Sequence, residues 1–199
     1  MRTRAHLTLL AFTAAVVALF GLAGTASAAT VALSPAGRFS ASTLGWIAFA
    51  NEGGLIDLTV NCQSTLTGSF DASIADTPGS HAGTITGGSF SDCDNGTFDY
   101  LFDEPASWEL TLEGVDLRSQ RLALRVHDYS FSYTLLGNTC LYTGDLDLTV
   151  PLVGRGPYTT GLADLPLGML GLVSGGFFCA PEMASNAQFS LTTQTVTVS

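Results

Sequence analysis

The stretch Arg121-Leu122-Ala123-Leu124-Arg125-Val126-His127-Asp128-Tyr129-Ser130-Phe131-Ser132-Tyr133 decides the fold. Leu122, Leu124 and Val126 fall on even positions, with Arg121, Ala123 and Arg125 between them. After His127-Asp128 the phase flips: Tyr129, Phe131 and Tyr133 are odd, and serines separate them. Strict alternation is what a strand with one buried and one wetted face requires. A slip of one residue inside such a run is what a bulge produces. The stretch predicts a bulge or a strand end near His127-Asp128.

The same alternation recurs on both sides. Ile56, Leu58, Val60 and Cys62 share one parity, with Asp57, Thr59 and Asn61 on the other. Trp108, Leu110 and Leu112 alternate with Glu109, Thr111 and Glu113. Leu146, Leu148, Val150 and Leu152 alternate with Asp145, Asp147 and Thr149. Phe189 and Leu191 are odd while Val196 and Val198 are even, which places a second bulge or strand end near Thr192-Thr193. No stretch carries the i, i+3, i+4, i+7 stripe of a helix. Turn residues punctuate the chain at 51–54, 77–80, 94–96, 137–138, 154–157 and 180–181. Short strands at this interval predict an all-β, single antiparallel β-sandwich or barrel-like domain. No linker or low-complexity block divides it, so residues 29–199 form one domain.

The first 28 residues stand apart. Arg2, Arg4 and His6 make a short basic head, Leu7 to Leu22 is almost wholly apolar, and Gly24-Thr25-Ala26-Ser27-Ala28 supplies small residues at a cut after Ala28. This is the pattern of a secretory signal peptide. A membrane anchor needs about 20 apolar residues, and this run is shorter. No cysteine follows the cut to carry a lipid. The expectation is a secreted, extracellular protein that is not integral to a membrane after processing.

The chain has 199 residues, of which 12% are charged, about half the usual share. It contains no lysine, and beyond Ala28 five arginines face all 17 acids, a net charge of −12. Such a surface repels phosphate backbones, so nucleic acid is excluded as a partner. Anionic membranes are disfavoured for the same reason. Solubility is the simplest use of the charge.

Cys62, Cys93, Cys140 and Cys179 all lie beyond the cut. An even number on a secretory route predicts two disulfides. Of the three pairings, Cys62–Cys93 with Cys140–Cys179 is favoured, because each pair is close enough in sequence for neighbouring strands to join. The surroundings also rhyme. Thr67-Gly68 follows Cys62 as Thr143-Gly144 follows Cys140, and Gly87-Gly88-Ser89-Phe90 precedes Cys93 as Gly175-Gly176-Phe177-Phe178 precedes Cys179. Chance and a faint internal duplication both account for that rhyme. In the chain-entropy model each loop contributes about 3.5–4 kcal/mol. Zinc is the rival use of four cysteines, but it calls for close pairs such as C-x2-C.

Three marks together resemble a group of small secreted actinobacterial proteins with no assigned activity. They are a strand ending in cysteine and followed by Ser/Thr–Gly (Leu58 to Gly68), a Gly-rich strand ending in the second cysteine (Gly83 to Cys93), and a tryptophan strand after a proline (Pro105 to Trp108), completed by two later cysteines. Here two residues separate the proline from the tryptophan. The resemblance covers most of the chain beyond Ala28 and implies a β-rich secreted domain with disulfides. It implies no catalytic residue.

Candidate chemistry is sparse. Gly79-Ser80-His81-Ala82-Gly83 has the outer glycines of a nucleophile elbow but histidine at its centre, and no helix pattern follows. His127 reads as an exposed or bulge residue rather than a general base. Paired acids could serve a glycosidase if two stood about 5–10 Å apart across a cleft. Asp103-Glu104 read as a solvated turn, however, and Glu109 and Glu113 as the wet face of a strand. Asp92, Asp94, Asn95 and Asp99 crowd one turn, as calcium ligands would; a turn rich in Asp, Asn and Gly for backbone reasons is the competing explanation. No cofactor is expected. Asn95-Gly96-Thr97 matches a glycosylation sequon, set aside for a bacterial type of chain.

Residues 162–178 are apolar with Asp164 as their single charge. They read as two buried strands turning at Ser174-Gly175-Gly176, or as a patch of Leu165, Leu167, Met169, Leu170, Phe177 and Phe178 offered to a partner. Trp46, Phe49, Trp108 and Tyr158 could make a sugar-stacking platform or be core. The expected function is a secreted non-enzymatic binding or extracellular-structural domain. The alternatives are a carbohydrate- or hydrophobic-surface-binding module and a hydrolase using paired carboxylates. The partner to expect is a protein or a polysaccharide, and strands at a sheet edge could also support assembly. Peptide mapping without reduction should recover Cys62–Cys93 and Cys140–Cys179; a Cys62–Cys179 peptide would refute the pairing.

Overall fold

A computed structural model describes residues 29–52, 58–102 and 107–199. The expected signal segment, Ile56, Asp57 and the Asp103-Glu104 turn lie outside the described residues. All regular structure among those residues is strand: β1 (Thr30–Ser34), β2 (Gly37–Thr43), β3 (Ile47–Glu52), β4 (Thr59–Phe70), β5 (Ser73–Ala75), β6 (Ser80–Ser91), β7 (Thr97–Tyr100), β8 (Trp108–Asp116), β9 (Arg121–Leu135), β10 (Asn138–Pro151), β11 (Tyr158–Ser174) and β12 (Glu182–Val198).

Several of these are pieces of one longer run. β1, β2 and β3 lie end to end along β12. β4 continues into β5 along the other side of that run. β7 and β8 share β9 as their partner. The pieces make eight antiparallel staves in chain order, and β12 pairs with β11 on one side and with the first stave on the other. The two walls face each other across a common core, and ladders join them at both edges, so the architecture is a closed up-and-down barrel. Closure between β11 and β12 pairs the two staves that would otherwise be the sheet's edges. One seam is not a ladder: the upper part of β6 meets β7 through the Phe90 and Tyr100 rings, with centroids 3.9 Å apart.

The alternation has the predicted consequence. Along β4, Val60, Cys62, Ser64, Leu66 and Phe70 are buried, while Thr59, Gln63, Thr65 and Thr67 are exposed. Along β9, Leu122, Leu124, Val126, Tyr129, Phe131 and Tyr133 face inward. Apolar inside and polar outside is the reverse of a membrane barrel, whose lipid face is apolar. No helix of the described residues is long and apolar enough to cross a membrane. Aromatic rings fill the upper half, with Phe49 on Phe98 at 4.8 Å and Phe98 on Tyr133 at 4.5 Å. Aliphatic side chains and the Phe39–Phe70 stack fill the lower half. The space left inside is about 40 Å³, bounded by side chains such as Leu110, Leu124 and Leu146. That is far below the roughly 150 Å³ that admits benzene. The barrel is packed through, as eight staves allow.

Both predicted bulges are present. Val126 pairs with Leu146 and Tyr129 with Gly144, so His127 and Asp128 together oppose Asp145. Leu162 pairs with Ser190 and Thr160 with Gln194, which leaves Leu191 to Thr193 bulged. Further register shifts were not foreseen, among them a third bulge on β11: Leu165 pairs with Ala187 and Gly168 with Ser185, so Pro166 and Leu167 bulge out together. A bulge is where a strand interior tolerates proline.

That third bulge corrects the expectation for 162–178. β11 runs unbroken to Ser174, and the connection 175–181 follows it, instead of two strands turning at Ser174-Gly176. Leu165 and Leu170 point into the core and leave the expected patch. Leu167, Met169 and Val173 stand on the outer face. The run looked wholly apolar because this one stave is apolar on both faces.

The disulfides are Cys62–Cys93 and Cys140–Cys179. Each ties the top of a descending stave (β4 or β10) to the connection that leaves the next stave (92–96 or 175–181). Both clasp the same end of the barrel, called here the upper end. Replacing Cys62 and Cys93 together with alanine should lower stability in urea by roughly 3–4 kcal/mol. An unchanged midpoint would show that the clasp constrains nothing.

Candidate binding site at the upper end

Three connections form the upper rim. The β9–β10 turn is Leu135-Leu136-Gly137-Asn138. Leu136 has φ +50° and Gly137 φ +79°, the left-handed pair of a type I′ hairpin, where Asn-Gly is the usual sequence. Leucine in that backbone costs about 1–2 kcal/mol. Leu136 is also 92% exposed. Opposite it, the 175–181 connection lifts Phe177 and Phe178, 81% and 54% exposed, in edge-to-face contact with each other. That connection is anchored twice to β10, by Cys140–Cys179 and by the Tyr142 hydroxyl, which donates to the Ala180 carbonyl at 3.1 Å. The third wall comes from Asn51 and Leu58, which flank the β3–β4 connection.

Between these walls lies a cavity of about 290 Å³, with Tyr133 and Tyr142 one step inside Leu135, Leu136, Asn138, Cys140 and Phe178. The Tyr133 hydroxyl is buried and has no hydrogen-bond partner. Burial, then the nearby Asp94 carboxylate, push its pKa up to about 12, so the phenol stays neutral. Barrel mouths are a common place for ligand sites. Among the described residues no arginine lines this one.

Of the residues suspected of holding calcium, Asp92 has a left-handed backbone at φ +51° and Asp94 braces the neighbouring strand. Asp94 turns one carboxylate oxygen to the Asn61 amide N–H and the other to the Asn61 side-chain amide, both at 2.9 Å. Asp99 lies on β7 opposite Ser132. Gly96 has φ +69°, and a Cβ there would come within 2.5 Å of the Tyr133 ring. The Asp-Asn-Gly composition thus serves the turn and its brace beside Cys62–Cys93. Among the described residues no three His, Cys, Asp or Glu side chains converge as metal ligands.

The histidines stand elsewhere. His81 meets Asp71 at 2.8 Å at the lower end, both about half exposed. His127 bridges three staves: its Nε2 lies 2.9 Å from the Thr111 hydroxyl and its Nδ1 3.2 Å from Asp145. The order is that of a nucleophile, base and orienting acid. Thr111, however, is 5% exposed and donates to Glu113 at 2.9 Å, and the three groups lie on the outer face of a sheet. Asp145 also accepts from the Asp128 N–H at 3.2 Å, so the trio braces the bulge. Sequence inspection missed it because it assembles across strands far apart in the chain; the shared outer parity of Thr111 and Asp145 was the available signal. Of the suspected stacking aromatics, Phe49 and Trp108 are core, Tyr158 is half-buried and Trp46 is exposed.

Two carboxylates, Asp94 and Asp116, are held below the usual range. The Asn61 backbone N–H leads for the first and the Ser119 hydroxyl for the second. A catalytic acid needs the opposite displacement. A depressed native pKa adds stability that is fully present above the unfolded value of 3.8 and is lost as pH falls below it through the lower native value. Asp94→Asn should therefore flatten the decline in melting temperature between about pH 5 and 2. An identical decline in both proteins would remove Asp94 from the acid response. No family model matches the chain, and comparison with curated proteins and with solved structures found no significant match.

Proposed function

We propose that the protein is an exported, non-enzymatic binding barrel that meets uncharged, apolar material through the rim of its upper end. The observation that carries this is the placement of Leu136, Phe177 and Phe178. Large apolar side chains at loop tips lose free energy to water, and Leu136 does so on a backbone that leucine disfavours. Two local rules broken at one spot mark a place where function outweighs stability.

Export is supported by the signal-like first 28 residues and by two disulfides, which persist in oxidising compartments. We place the chain, on its cysteine and tryptophan strands, with the small secreted actinobacterial four-cysteine β-domains it resembles. An apolar target is favoured over a polysaccharide because most of the aromatic side chains that could stack on sugar rings are in the core. A hydrolase using paired carboxylates is disfavoured because Asp94 and Asp116 are displaced downward, the opposite of what a catalytic acid needs, and Thr111, His127 and Asp145 are spent on bracing a bulge.

Retention on an uncharged octyl matrix tests the reading. The combined variant Leu136→Asn, Phe177→Ser, Phe178→Ser should elute several-fold earlier with an unchanged or higher melting temperature. Equal retention of the two proteins would contradict a role for the rim.

A further inference from the structure

We infer that Asn95 is a site of spontaneous covalent modification, where the Asn95-Gly96 peptide closes to a succinimide and reopens in water as aspartate or isoaspartate. The inference is independent of what the rim binds.

Asn95-Gly96 is the sole Asn-Gly pair in the chain. The reaction brings the peptide nitrogen that follows an asparagine onto that residue's own side-chain carbonyl carbon. A Cβ on the following residue obstructs the approach, and glycine has none. Both residues are exposed, in the 92–96 connection at the upper end. Among the described residues no hydrogen bond holds the Gly96 N–H or the Asn95 side-chain amide. The Asn95 backbone N–H helps to hold the Asp94 carboxylate, which leaves the two reacting groups available. Their neighbours are fixed. Asp94 is tied to Asn61 beside the Cys62–Cys93 bridge, and Thr97 opens the β7 ladder opposite Thr134.

The other asparagines lack this combination. Asn51, Asn61, Asn138 and Asn186 are each followed by a residue that carries a side chain and stands in a ladder: Glu52 opposite Glu182, Cys62 opposite Ile47, Thr139 opposite Thr134 and Ala187 opposite Leu165.

The chemistry needs only water. The deprotonated Gly96 nitrogen attacks Cγ of Asn95. The new C–N bond forms as the bond from Cγ to the amide nitrogen breaks, and ammonia leaves, taking up a proton. Water then opens the ring. Attack at Cγ gives aspartate, and attack at the main-chain carbonyl carbon gives isoaspartate, with the backbone rerouted through the side chain. Either product adds a carboxylate to a connection that already holds Asp92 and Asp94. Isoaspartate also lengthens the backbone by a methylene. Both ends of the turn are pinned, and a Cβ at Gly96 would come within 2.5 Å of the Tyr133 ring, so the added length bows into solvent.

The test is ageing of the oxidised, folded protein in warm, mildly alkaline buffer, sampled by peptide mapping and anion exchange. The peptide holding Asn95 should gain about 1 Da and show isoaspartate in excess of aspartate, while Asn51, Asn61, Asn138 and Asn186 stay unmodified. A more acidic species should grow at the same rate, several-fold faster as the buffer is made more alkaline. Asn95→Gln should abolish it with the fold unchanged. The reduced chain in urea, aged alongside, gives the rate with no fold to restrain the turn, and the folded rate should lie within several-fold of it. An Asn95 that stays intact in the folded protein, or conversion spread evenly over the other asparagines, overturns the inference.

Discussion

The ladder between β11 and β12 is the constraint on which the rest depends. Without it the same staves would form an open sheet with β11 and β12 as bare edges, each a row of unpaired N–H and C=O groups. With it, β12 is hydrogen-bonded on both sides along most of its length. Every inward side chain then faces other inward side chains, and the polar parity of each stave is committed to water. Closure also limits where recognition can occur. Apart from the seam between β6 and β7 the wall is hydrogen-bonded, and the interior is filled, so the connections at the two ends are the natural places for variation.

The ends are not alike. The lower end is where the described chain starts and stops, with Thr30 and Ser199 paired through their backbones. The upper end holds both disulfides. Each clasps the top of a descending stave to the next outgoing connection, the same construction used twice, and this matches the rhyme between Cys62–Cys93 and Cys140–Cys179. The clasps allow the upper connections to carry strained or exposed residues. Leu136 in a left-handed backbone, and two phenylalanines side by side in water, stand on a platform already fixed by covalent bonds.

What the sequence made legible follows from how local each signal is. Parity is local, so β4, β8, β9 and β10 and their buried faces could be read from Val60, Leu110, Leu124 and Leu148. A phase slip is equally local, so the bulges at His127-Asp128 and Thr192-Thr193 were visible. The Pro166-Leu167 bulge was hidden because both faces of β11 are apolar, leaving no alternation to lose phase. Closure was not legible, since the sandwich and the barrel differ in one ladder between strands of unchanged pattern. The rim was legible only in part. Phe177 and Phe178 stood out, but Leu136 drew no attention because its significance lies in a backbone angle. The Tyr133 hydroxyl looked like any inward aromatic until its surroundings lacked a partner for it. The brace of Thr111, His127 and Asp145 joins three strands that only the fold brings together.

Native-state amide exchange measured residue by residue tests closure most directly. The account predicts that amides of β11 and β12, including Ala163, Leu170, Ala184 and Phe189, exchange as slowly as those of the central stave β9. Rapid exchange along β11 and the outer side of β12, with β9 protected, is the signature of an open edge and would contradict a closed barrel.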